Sequence, residues 1–183
     1  MRSKQLLWSP AMPAAISKEA PSLELKKLEQ LVHAETNLIR SSNNLNALAW
    51  SDTVAYIARM HSDDMATQGY FDHINKEGHS ASERAAKSGL AGLHRSGNMI
   101  TTGLGENLFA THRYKEYVVR GDGDNESYDV NWKGPEEIAQ EAISAWMNSP
   151  RHQKNLLSNT YSHQGIGIAL GTNGTLFVTQ NLY

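Results

Sequence analysis

Three stretches of this 183-residue sequence carry side chains whose types and spacing could do chemistry. The first is Trp146-Met-Asn-Ser149-Pro150-Arg-His152, where one helix gives way to another. Ser149 reads as an N-cap and Pro150 as the first helical residue, which makes His152 the third residue of a short helix. The positive end of the helix dipole disfavours imidazolium there, and a neutral ring can ligate a metal or accept a proton. Taken by itself, the stretch fits a histidine packed into a corner better than a functional one. The second is Gly69-Tyr-Phe-Asp-His73, which runs into the loop Asn75-Lys-Glu-Gly78-His79 and leaves His73 available for ligation. The third is Gly103-Leu-Gly-Glu106-Asn107-Leu-Phe, where two glycines permit a close turn before an apolar run. Glu106 is thereby carried to the edge of a buried segment, where a carboxylate needs a partner. Two histidines and a carboxylate are suitable ligands for a divalent cation such as Zn2+ with an open position. Positions 73, 106 and 152 converge only if the fold brings them together.

The elements that must do so are legible in the pattern. Leu25, Leu28, Leu31, Val32 and Ile39 make a helical stripe over about 22–40, and residues 41–46 break it. Ser51 caps a second helix to about Thr67, whose apolar face is Val54, Ile57, Ala58, His61 and Met65; His61 on that stripe reads as a core histidine. Ser80-Ala-Ser-Glu83 has the form of a capping box and opens a short helix that stops at Gly89. Gly134-Pro135-Glu136-Glu137 starts another, running to about Asn148. After it the period changes to two. Residues 165–170 and 175–180 flank Gly171-Thr-Asn-Gly174 and predict a β-hairpin. Leu176 and Val178 point one way and Phe177 the other, so that strand should be covered by helices on both faces. Residues 113–133 are polar and tyrosine-bearing and read as an excursion, a two-stranded flap.

Composition narrows the field. A formal net charge of −2 offers no nucleic-acid footprint, and the hydrophobic fraction of 39% supports a real core. No cysteine is present, so disulfides, thiolate metal sites and a cysteine nucleophile are excluded. No apolar run reaches the length of a membrane span. Residues 1–21, with Pro10, Pro13 and Pro21, are a poor signal peptide and read as an irregular arm or linker; an exported chain trimmed of its signal would also begin this way. Asp122-Gly-Asp124-Asn-Glu126 resembles half a calcium loop, but Lys133 stands where a bidentate glutamate is needed, so a solvated tip is the better reading. Asn125-Glu-Ser127 and Asn173-Gly-Thr175 match the glycosylation sequon, which is short enough to occur by chance. Phosphate-binding, dinucleotide-binding, Gly-x-Ser-x-Gly and His-Glu-x-x-His motifs are all missing from the sequence.

Several of these pieces, in order, resemble the CAP superfamily of cysteine-rich secretory proteins, antigen 5 and pathogenesis-related 1 (SCP-like domains), in its disulfide-free prokaryotic branch. They are Leu48-Ala-Trp50, Ala58-Arg-Met-His61, Gly69-Tyr-Phe-Asp-His73, Glu83-Arg84 and Gly105-Glu106-Asn107-Leu108. Ala145-Trp146 through His152, Asn155-Leu-Leu157, Tyr161, Gly165-Ile-Gly167 and Val178-Thr-Gln180 complete the series. The resemblance implies an α+β fold: a single-domain α-β-α sandwich over 22–183, with a small, mainly antiparallel sheet and helices on both faces. It also implies a central cleft in which His73, Glu106 and His152 match family positions, with His73, His152 and Glu106 as ligands to Zn2+ or another divalent cation. The fourth position departs: Ser149 stands where many eukaryotic members have a glutamate, and Glu141, Asn148 and Glu83 are the substitutes in reach. The implied protein is secreted or on the cell surface, and its cleft binds a small molecule, lipid or peptide. The alternative is a metal-assisted, peptidase-like hydrolase in which the histidines ligate and Glu106 activates water. The binding reading leads because a three-ligand site without an evident acid partner is thin for catalysis; the cleft also offers no obvious nucleophile, since Ser149 has a competing role as a cap and Ser62 lies beside a core histidine.

Overall fold

A computed structural model describes residues 20–90, 93–96, 99–121 and 126–183. Most of the N-terminal arm and the Asp122–Asn125 tip lie outside the described residues. The capping signals place the helices. Helix α1 is Leu25–Ser42, three residues later at its start than the stripe suggests, with Glu24 as its N-cap. After the two-residue strand β1 (Ala49–Trp50), α2 spans Asp52–Gln68, with the Ser51 hydroxyl accepting from Val54 N–H and Gly69 closing it at φ 65°. Helix α3 (Ala81–Lys87) carries both reciprocal bonds of the Ser80–Glu83 capping box. Strands β2 (Leu93–Ser96) and β3 (Met99–Thr102) pair as a small antiparallel ribbon not evident from the sequence pattern. Strand β4 (Gly105–His112) follows, then β5 (Tyr114–Arg120) and β6 (Ser127–Trp132), which pair with each other as the expected flap. Helix α4 (Pro135–Met147) leads directly to α5 (Pro150–Leu156), and β7 (His163–Leu170) and β8 (Thr175–Leu182) form the C-terminal hairpin.

The central sheet has the order β1-β7-β8-β4, antiparallel except for the short parallel pair β1–β7. Both faces are covered, as Leu176, Phe177 and Val178 require. Leu176 and Val178 join Leu28, Val32, Ile138 and Trp146 of α1 and α4. Phe177 packs with Met65 of α2 and Leu108 of β4. The fold is the expected α-β-α sandwich.

Helix α2 sits unusually close to β7, and two glycines are the cause. A Cβ at Gly165 would lie 2.1 Å from Ala55 N, and one at Gly167 would lie 2.0 Å from Arg59 N. The backbone of α2 rests directly on the strand there, so residues 52–68 and the loop after them are set by contact rather than by side-chain length. Beyond the end of β1 the free edge of β7 is partly closed by Glu29, which is buried and accepts from Ile168 N–H at 3.3 Å while pairing with Arg59. The opposite helix layer is tied down by Arg40. Its guanidinium is buried and donates to Asn46, Leu156 and Ser158 carbonyls at 2.8 Å each, locking the end of α1 to the end of α5.

Candidate functional site

Strand β4 is an edge strand, and its alternation distributes the site. Glu106 faces the α2–α3 layer, while Asn107 faces α5. His73 arrives on the loop after α2, and His152 arrives on α5 because Pro150 starts a new helix after the Asn148–Ser149 corner. The three residues converge. His73 Nδ1 lies 2.9 Å from Glu106 Oε1, and the His73 and His152 rings are 6.0 Å apart, centre to centre. An ionised carboxylate accepts, so Nδ1 carries the proton of this bond; the ring is half exposed.

Arg84 of α3 completes the group, and sequence reasoning did not assign it a place there. Its guanidinium pairs with the other Glu106 oxygen and donates to the His73 and His79 carbonyls at 2.9 Å each. Glu106 and Arg84 are each only 9% exposed. Their pairing is therefore a buried one, and Arg84 holds both the carboxylate and the loop that carries His73. The only signals in the sequence were its place beside Glu83 in the motif series and its position on a short capped helix.

Behind Asn107 a row of buried amides crosses the sheet. Asn155 donates to the Asn107 side-chain oxygen at 2.9 Å, and Asn107 donates to Gln180 at 2.8 Å. Gln180 donates to Gln164 at 2.7 Å, and Gln164 donates to His33 Nδ1 at 2.8 Å. Asn155 also donates to the Glu106 carbonyl at 3.1 Å, which fixes α5 against β4 beneath His152.

The resulting cleft has a volume of about 880 Å³ and is walled by His73, Glu106, Ser149, His152 and Tyr161, with Arg151 and Lys154 on its α5 side. Gly105 makes room for Tyr161: a Cβ there would lie 2.5 Å from the phenol oxygen. Ser149 holds the N-cap position, but its side chain makes no capping hydrogen bond, in contrast to the expected role. None of the three substitutes for a fourth acid reaches the cleft wall. Glu83 is taken by the Ser80 cap, Glu141 binds Lys133 and Thr111, and Asn148 faces Ser144.

Among the described residues no three histidine or carboxylate groups converge closely enough to hold a metal ion. Both Glu106 oxygens are engaged, one by His73 and one by a guanidinium. The His73 and His152 imidazoles stand beside this pair on the cleft wall.

Burial first, then His73 and Arg151, hold the His152 imidazole below its ordinary range. Burial also lowers His33, His61 and His112. In each case the unfolded chain takes up protons that the folded chain resists. Their stabilising contribution is complete above the ordinary value of 6.5 and is lost as pH falls through the lowered folded values. Urea midpoints are therefore expected to drop between pH 7 and pH 5, and an NMR titration of the His152 ring should give a midpoint below 6.5.

A small sheet covered by helices on both faces defines a class of domain, and the comparisons agree on which. The family model for the cysteine-rich secretory protein family (CAP) matches residues 33–182, and the chain belongs to that family. It is 28% identical over 156 residues to an uncharacterised membrane protein of Bacillus subtilis, YlbC, covering 85% of this chain and 36% of that protein. YkwD, an uncharacterised protein of the same organism, is 28% identical over 142 residues, covering 78% of this chain and 41% of that one. The chain thus spans about two-fifths of the length of these curated relatives. Among solved structures it is similar to an extracellular SCP-domain protein of Bacillus anthracis, with TM-score 0.62, 26% identity, and 89% of this chain and 44% of that one covered. An outer surface protein of Borrelia burgdorferi shares the fold at TM-score 0.63 and 16% identity, covering 87% and 94%. Among the described residues no helix is long and apolar enough to cross a membrane.

Proposed function

We propose that this domain is an extracellular or surface-exposed binding module whose cleft takes a small ligand, lipid or peptide. The observation that carries the reading is the state of Glu106. Its carboxylate faces the cleft already bonded to His73 and Arg84, so it is a structural anchor rather than a base poised over an attacking water. A cleft of about 880 Å³ is of ligand size. The surface location is supported by neighbours described as extracellular or outer-surface proteins. The alternative, a peptidase-like hydrolase, would need Glu106 freed from Arg84.

The test pairs calorimetry with catalysis. Wild type, His73→Ala and His152→Ala are titrated with Zn2+ and assayed against a broad peptide and ester library. The binding reading expects no turnover from any of the three. Turnover that either substitution abolishes overturns it in favour of the hydrolase, and a Zn2+ affinity lost in both variants would return a metal to the imidazole pair.

A further inference from the structure

The charge on the cleft wall identifies the kind of ligand, given the reading of the cleft as a binding site. Glu106 is the only carboxylate on that wall among the described residues, and its charge is met by Arg84 from behind. The same cleft is lined by Arg151 and Lys154, three positions apart on α5 and therefore on adjoining turns of one face. Neither cation makes an ion pair among the described residues. Arg59, Arg84, Arg120, Lys115 and Lys133 each hold a carboxylate, so the described carboxylates that form ion pairs are engaged elsewhere and none of them neutralises Arg151 or Lys154. The Ser149 hydroxyl, released from capping, stands on the same wall, as do the two imidazoles.

We propose that the cleft binds an oxyanion-bearing small molecule, a carboxylate or a phosphate, with Arg151 and Lys154 supplying the charge and Ser149 and His152 the hydrogen bonds. Guanidinium and ammonium groups at a cleft rim raise the local concentration of anions and hold them with charge-assisted bonds. The Asn155 amide is already spent on Asn107 and on the Glu106 carbonyl, so it shapes the wall without recognising the ligand.

The whole chain is titrated with glutarate, with its neutral diamide glutaramide, and with inorganic phosphate, and binding is followed in the NMR signals of the His152 ring and the Asn155 side-chain amide. Glutarate or phosphate should shift both signals and glutaramide should not. Arg151→Ala and Lys154→Ala should each weaken binding about tenfold and flatten its salt dependence. Both side chains are exposed, so an unchanged melting temperature should accompany the loss. Tighter binding of phosphate than of glutarate assigns the ligand's anion to a phosphate, and the reverse assigns it to a carboxylate. Equal binding of glutarate and glutaramide in the cleft overturns the anion assignment and leaves the cleft as a ligand site. Unchanged affinity in both variants overturns it as well. Shifts confined to residues away from the cleft overturn both the assignment and the reading of the cleft.

Discussion

Replacing Gly167 with alanine is expected to destabilise the domain by about 3 kcal/mol or more, at the top of the range for overpacking a core. The added methyl would lie 2.0 Å from Arg59 N and 2.2 Å from Ala58 C, both backbone atoms of α2 that no rotamer change can move. The helix would have to lift from β7, and with it the loop that carries His73. At about 2–4 °C per kcal/mol for a chain of this size, the melting temperature should fall by roughly 6–12 °C. Gly134→Ala is the control, since a Cβ there meets only a Glu136 side-chain oxygen at 3.8 Å and the backbone φ is −74°. Comparable losses in the two variants, measured by thermal or urea unfolding, would show that the close approach is not what makes Gly167 costly to replace.

The second large effect is expected at Glu106. Changing it to glutamine keeps the shape but leaves the Arg84 guanidinium buried opposite a neutral amide, and breaking a buried pair from one side costs about 3–5 kcal/mol. The same change leaves one acceptor oxygen for two donors, so with that oxygen turned to Arg84 the amide NH2 faces His73 Nδ1, and NMR should show the Nδ1 proton lost or labile as stability drops. Arg84→Met alone should also be costly, because it strands the carboxylate and releases the His73 and His79 carbonyls. Combining the two substitutions removes both charges, and the double variant should be more stable than the sum of the single losses predicts. Additive losses would mean that the pair is not energetically coupled.

These two predictions mark where sequence reading succeeded and where it stopped. Local signals carried far: the Ser51 cap, the Ser80–Glu83 box and the Gly134-Pro135 start each placed a helix within a few residues. Two-sided apolarity at Leu176–Val178 called for helices on both faces of β8, and both are present. His73, Glu106 and His152 were found through motif order, and the fold brings them into one cleft. Interactions between distant positions were not readable. Arg84 meets Glu106 across 22 residues, and Asn107 meets Gln180 across 73, with no periodicity to join them. Ser149 shows the limit of a local rule. Its residue type and backbone suit an N-cap, yet the hydroxyl makes no such bond, and the tertiary setting leaves it on the cleft wall.

The row of side-chain amides from Asn155 to His33 has a consequence for how this interior can change. Every donor in it points the same way, and the last acceptor is a histidine nitrogen that must stay unprotonated. Reversing one amide would set donor against donor on one side and acceptor against acceptor on the other. The five residues therefore share a single polarity, set by α5 at one end and α1 at the other, and β8 can occupy only the register that keeps Gln180 between its two neighbours. A lone substitution along the row strands its neighbours; an apolar replacement would have to arrive as a set. Arg151 and Lys154, standing outside the row, are free to be exchanged one at a time, so the cleft rim can drift over an interior that moves only in concert.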